Sequence, residues 1–251
     1  MVWNATAVDV DEREAVPRSR STEDELLVDA DDESLPEWKR QSVERSLQVA
    51  RVRAQDRSDR FVASAMSLME ERGDIDFTVQ DVVDKAKMSI RTFYNFFASK
   101  DDVLVAVHET ILANEVAPRL RKMCDKESDP VLKIRAYIDG IFKLTAEPGP
   151  VSRALTTFRN RLAETRPDDL DRAFMPQIQL VDELVAGVSD SGRLKGPLPA
   201  DKAAYLIHHT VLAAVHARIL ATRHDIGVTS RDLWVFCCTG IGVEGDFESN
   251  D

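Results

Sequence analysis

From residue 58 onward, apolar residues recur at three- and four-residue intervals, and no stretch of useful length alternates. That period gathers them on single faces of helices, whereas a half-buried strand needs a period of two. Phe61, Ala65, Leu68 and Met69 mark the first face, and Gly73 stands where a helix C-cap belongs. Thr78 opens a short helix, where its hydroxyl can take up a free amide and Asp81 suits the positive end of the dipole. Val79, Val82, Val83 and Ala86 form its apolar side. Lys87 to Ser89 separate it from a second short helix, 89–97, with Ser89 as N-cap. Phe93 and Phe97 lie four apart on that helix and share a face. The stretch 58–98 therefore predicts three short helices, the last two joined by a tight turn.

Further helical faces follow. Val103, Val107, Ile111 and Leu112 mark a longer helix expected to stop near Pro118. Ile134, Ile138, Ile141 and Phe142 mark another, then Ala154, Leu155, Phe158 and Leu162, then Phe174, Ile178, Val181, Leu184 and Val185. Prolines and glycines punctuate them, and Pro176 inside the last predicts a kink. No internal repeat appears. The fold class is all-α.

Charge divides the chain. The net charge is −11 over 251 residues. Residues 1–36 hold 11 acidic and 3 basic residues without periodicity, which predicts a disordered acidic tail. Residues 37–57 read as a basic, helical N-terminal extension. Lys39, Arg40, Arg45, Arg51, Arg53, Arg57 and Arg60 outnumber four acidic residues across 37–60. Charge patterning alone leaves a solvated helix face and phosphate contact both open. An apolar fraction of 43% excludes a wholly disordered protein. No run of about 18 apolar residues is present, so no membrane partner is expected. No secretory leader is visible, and Cys124, Cys237 and Cys238 are an odd number. Both point to a reduced, cytoplasmic compartment.

Two helices joined by a turn, the second with a polar outer face, are the arrangement that sets a helix in the major groove. With Phe93 and Phe97 inward, Ser89, Ile90, Arg91, Thr92, Tyr94 and Asn95 remain near the surface. Arginine can donate a bidentate pair to guanine, asparagine can pair with adenine, and Ile90 can touch a thymine methyl. Thr92, Tyr94 and Lys100 suit phosphate oxygens.

Residues 58–107 also resemble the DNA-binding region of TetR-type transcriptional regulators. The resemblance rests on the helix ending at Gly73, the run Thr78-Val-Gln-Asp-Val-Val, Ala86 before the turn, Ser89-Ile-Arg-Thr-Phe-Tyr-Asn-Phe-Phe, and Ala98-Ser-Lys-Asp ahead of an apolar helix. It implies a three-helix helix-turn-helix domain over 58–102 and a helical effector-binding and dimerisation domain over 103–245. The partners implied are double-stranded operator DNA, a small hydrophobic effector and a second copy of the chain, with no cofactor and no catalytic activity. The expected role is a repressor released from a palindromic operator. Carried over by position, Thr78, Gln80, Ser89, Ile90, Arg91, Thr92, Tyr94, Asn95 and Lys100 would meet DNA. Two residues depart from the family pattern. Lys87 stands where glycine is common, so the turn would differ or be mildly strained. Phe96 replaces the usual histidine. Basic arms can lie along DNA, and Arg51, Arg53 and Arg57 are the best placed for that.

A single short helix reads too few base pairs, and a twofold dimer doubles the site. Ala203, Ile207, Thr210, Ala214, Ala217 and Ala221 form a stripe of mostly small residues that suits a dimer contact, or else packing within one subunit. Leu233, Phe236, Cys237 and Ile241 would supply a second interface helix. Phe142, Leu155, Phe158, Phe174, Met175, Tyr205 and His209 are the candidates to line an effector cavity, although large apolar residues fill cores by default. Arg153, Arg159 and Arg161 could meet an anionic head group, or face solvent.

Two rival classes remain. A metal-dependent helical enzyme would have to use the histidines, yet His209 and His216 stand about 10.5 Å apart along a helix. No phosphate loop, nucleophile elbow or Cys-x-x-Cys pair is present. A helical interaction module without DNA binding is the other.

Overall fold

The computed structural model describes residues 36–219, 227–245 and 247. The acidic segment, apart from Pro36, and the dimer candidate Ala221 lie outside the described residues. The chain divides into two compact units, Met1–Gln55 and Asp56–Asp251. Of the first, residues 37–55 are helical and largely exposed, including Trp38, Val49 and Val52. They belong to α1 (Glu37–Arg72), which runs unbroken past the boundary expected between 57 and 58. The reason is local: neither glycine nor proline occurs between Glu37 and Arg72.

In the second unit, α2 (Val79–Ala86) and α3 (Ile90–Tyr94) follow the end of α1. α4 (Lys100–Ile111) then leads into a π-helical turn at Leu112–Val116 and into α5 (Ala117–Cys124). α6 (Pro130–Leu144), α7 (Pro150–Thr165), α8 (Pro167–Asp190), α9 (Ala200–Ile219) and α10 (Ser230–Gly240) complete it. Among the described residues no strand forms beyond an isolated bridge between Leu194 and Val243. None of the described helices is long and apolar enough to cross a membrane. The all-α reading stands.

Pro118 does not end α4, against expectation. The Ala117 amide reaches back to the Leu112 carbonyl, one residue further than in an α-helix. The wider turn sits where proline removes an N–H, so the helical path resumes as α5. Pro176 likewise lies inside α8.

Two large cores organise the unit, with a small third cluster of Leu112, Ala173 and Phe174. The first joins Phe61, Leu68, Val82, Val83 and Phe93 to Val103, Val107 and the α7 residues Ala154, Leu155, Phe158 and Leu162. The second gathers Leu120, Ile134, Ile138, Val181, Val185, Ile207, Val211 and Trp234 from α5, α6, α8, α9 and α10. At Gly140 a Cβ would sit 2.8 Å from Leu120 Cδ2 and 2.9 Å from Met123 Sδ, so any larger residue would force those α5 side chains to shift. α7 thus packs on the helix-turn-helix core directly.

Candidate nucleic-acid interface and internal cavity

Local chemistry fixes the turn between α2 and α3. Thr78 caps α2: its hydroxyl accepts from the Asp81 amide at 3.1 Å, while the Thr78 amide donates to the Asp81 carboxylate at 2.7 Å. Those bonds, with Arg72, hold the Asp81 carboxyl down to about 2. At the other end Lys87 adopts the left-handed region, φ 54 and ψ 46, the only non-glycine with positive φ among the described residues. Its amide donates to Asp84 O, and the Met88 amide to Val83 O, which closes the last turn of α2. So the turn keeps the shape that glycine favours and carries a lysine in it. Arg60 pins this end through a 2.7 Å bond to the Ala86 carbonyl.

Ser89 then caps α3, accepting from the Thr92 amide at 3.0 Å. α3 proper spans five residues rather than nine, and a tight turn carries the chain on, with the Phe97 amide bonded to Phe93 O. Aromatic contacts orient it. Phe93 is wholly buried, edge-on to Phe61 at 5.3 Å, and Phe97 meets both rings. With that side locked inward, Ile90 at 46% and Tyr94 at 55% exposure face outward, beside exposed Arg91 and Asn95. Arg91 has no ion-pair partner among the described residues.

The other predicted contact residues are tied up to different degrees. Thr92 is half-buried and shares its hydroxyl with Ser89 at 2.8 Å. Gln80 is exposed and donates to Asp84 at 2.7 Å. Lys100 does not project outward as expected: its Nζ donates to the Ile75 carbonyl at 2.9 Å and lies over the Phe77 ring. It holds the loop before α2. Exposed Lys87 is a cation the sequence reading treated only as a turn residue.

Behind this domain lies a cavity of about 420 Å³, walled by the π-helical turn, α4, α6, α7, α8 and α9. That size suits a drug-sized molecule. Of the residues expected to line it, Leu155 and Phe174 do. Phe142 packs in the second core, under the Arg218 guanidinium at 4.2 Å. Phe158 is wholly buried in the first core. Met175, Tyr205 and His209 are exposed. Met175 and His209 each follow a lining residue, and one step turns a helical side chain by about 100°, away from the cavity.

The sequence reading missed His108, His208, Gln177 and Tyr137, which line the cavity and are buried. Polar residues set into apolar helical stripes were the available signal. Phe174 meets the rings of His108 and His208 edge-on at 5.2 and 5.6 Å. Burial, reinforced by nearby charge, brings both imidazoles down to about 4. Arg159 also lines the cavity, and burial lowers its guanidinium to about 10. Of the other two arginines considered for an anion, Arg153 is exposed and Arg161 pairs with Asp101. No group of three metal-ligating side chains comes together among the described residues.

The expected dimer stripe also needs correction. Ala203 and Ile207 are buried in the second core of their own subunit, and Ala214 packs against it. Thr210, half-buried, donates to the Leu206 carbonyl, and Ala217 is half-buried. The outward side of α9 carries Tyr205, Leu206 and His209 instead. On α10, Leu233, Cys237 and Ile241 near its end are buried, whereas Phe236 is 66% exposed.

Comparison with known proteins agrees with this anatomy. Residues 61–107 match the family model for bacterial regulatory proteins of the tetR family. The HTH-type transcriptional regulator EthR of Mycobacterium tuberculosis is 27% identical over 204 residues, covering 75% of this chain and 93% of EthR. Among solved structures, Thermus thermophilus FadR in complex with lauroyl-CoA aligns with a TM-score of 0.57 at 18% identity, covering 77% of this chain and all of that one. RolR in complex with resorcinol aligns with a TM-score of 0.61 at 19% identity, covering 76% and 90%. The chain is thus similar to tetR-family regulatory proteins over its helix-turn-helix, to the regulator EthR along three quarters of its length, and to FadR in its helical fold.

Proposed function

We propose that the chain is a repressor that binds a palindromic operator as a homodimer and leaves it when a small molecule fills the cavity. The observation that carries this reading is the outward set Ile90, Arg91, Tyr94 and Asn95 on a helix whose opposite side is locked by Phe93 and Phe61. Arg91 and Asn95 read base edges; Tyr94, Lys87 and Gln80 reach phosphates. Thr78, Ser89 and Thr92 hold the two helix starts in place, and Lys100 holds the loop before α2. Two copies meet through the exposed α9–α10 side, with Tyr205, Leu206 and Phe236 at its centre. The protein works in the cytoplasm and catalyses nothing.

Release follows from differential binding: a ligand shifts the equilibrium only if it prefers the form with misplaced recognition helices. α7 is the lever. Leu155 belongs both to the cavity wall and to the core under α2 and α3. Ion pairs link the same region to the start of α4, Arg161 with Asp101 and Arg166 with Asp102. The FadR and RolR complexes, with lauroyl-CoA and resorcinol, support a small-molecule occupant for the cavity.

A gel shift with DNA flanking the protein's own gene tests the reading. The expected result is a saturable complex that weakens steeply with salt, as phosphate contacts require. No complex at any salt concentration would favour a helical interaction module.

A further inference from the structure

Among the described residues, one charge in the cavity wall has no counter-charge. Arg159 donates to His216 Nδ1 at 2.6 Å. Burial and the Arg159 charge disfavour protonation of His216, so it accepts as a neutral imidazole. Among the described residues no carboxylate lies within ion-pair distance of Arg159. Among the described lining residues Glu115 is the only carboxylate, and it pairs with Arg119 at 3.6 Å. His108 and His208, at 5% and 3% exposure, stand in the same wall with unpartnered Nδ1 atoms. A half-buried cation with no counter-charge among the described residues, and two buried imidazole nitrogens without partners, are each unfavourable. A single occupant can relieve all three.

We propose that the occupant is a hydrophobic carboxylate, its anion on Arg159 within reach of His108 and His208, and its apolar body against Leu155 and Phe174. The assignment rests on the effector reading of the cavity. One guanidinium matches one negative charge. A doubly charged phosphate monoester would need a second cation, and the histidines around Arg159 are held neutral. Guanidinium–carboxylate pairs also gain a bidentate geometry that a neutral hydroxyl lacks.

Isothermal calorimetry at pH 7.5 on the full chain tests this with matched probes: octanoate against octan-1-ol, and 2-naphthoate against 2-naphthylmethanol. The acids are expected to bind at least about tenfold more tightly than their alcohols, as charge-assisted hydrogen bonds imply. Arg159→Met should remove that preference, weaken the acids by about tenfold or more, and leave the alcohols within about twofold. Because it removes an unbalanced charge, it should leave the ligand-free Tm equal or higher. Arg159→Lys should retain acid over alcohol. Alcohols binding as well as acids overturn the charge assignment while leaving the cavity a ligand site. So does an Arg159→Met protein that keeps the preference, or one that unfolds and so shows the arginine to be structural. If no probe binds, the carboxylate proposal fails, and a gel shift on the same preparation shows whether the DNA-binding reading survives it.

Discussion

Lys87 holds a backbone conformation that a side chain resists. A left-handed residue with a Cβ costs about 1–2 kcal/mol, and glycine avoids most of that. Lys87→Gly should therefore stabilise the protein by about 1 kcal/mol in urea denaturation. A loss of stability would mean that the lysine side chain contributes contacts outweighing the strain. The buried histidines set a second expectation. His108 and His208 have folded-state values of about 4, below the ordinary 6.5. The unfolded chain then binds more protons between those limits. Stability is complete above about pH 6.5 and falls as pH drops toward 4, by up to about 1.4 kcal/mol per unit for each histidine. Tm recorded from pH 7.5 to 5 should show that slope, and His208→Asn should flatten it. An unchanged slope in that variant would show that other groups titrate.

At the scale of elements, half-exposed ion pairs rim the joint between α4 and α7–α8, outside the core that α4 shares with α7. Arg166 pairs with Asp102, which also completes the capping box of Ser99 at the start of α4. Exposed pairs contribute little, so Arg166→Ala should lower stability by no more than about 1 kcal/mol in urea denaturation. A loss of several kcal/mol would mean that the pair is structural rather than a joint able to move. Short-range elements were legible in the sequence because caps and aromatic spacings are local: Ser89, Thr78 and Phe93 do what their positions imply. α9 was not legible in the same way. It is apolar on both sides, so its period did not say which side the subunit keeps, and Ala203 and Ile207 face inward while Tyr205 and Leu206 do not. The π-helical turn was hidden because a proline reads as a stop unless the ladder behind it has already slipped.

The proposed dimer and its release belong to the whole molecule. Tyr205, Leu206 and Phe236 leave large apolar side chains on one side of α9 and α10. Phe236→Glu should convert a dimer to monomers in sedimentation analysis without unfolding them, since this residue touches solvent in the isolated subunit. A variant that stays dimeric at micromolar concentration would move the interface elsewhere. The cavity shows how far sequence reaches at this scale: Leu155 and Phe174 could be named in advance, but whether a large apolar residue fills a core or borders a void depends on distant helices. Phe158 and Arg159 are neighbours with opposite outcomes, one sealed in a core and the other lining the cavity.

The claim on which the rest depends is that the outer side of α3 meets DNA. Operator fragments selected by the protein from its own genome, followed by fluorescence anisotropy with Arg91→Ala, test it most directly. The account predicts a loss of about tenfold or more at fixed salt, as expected for a bidentate base contact, with the helical content unchanged. Wild-type affinity for the selected duplex in a folded Arg91→Ala protein, repeated with Asn95→Ala, would contradict it.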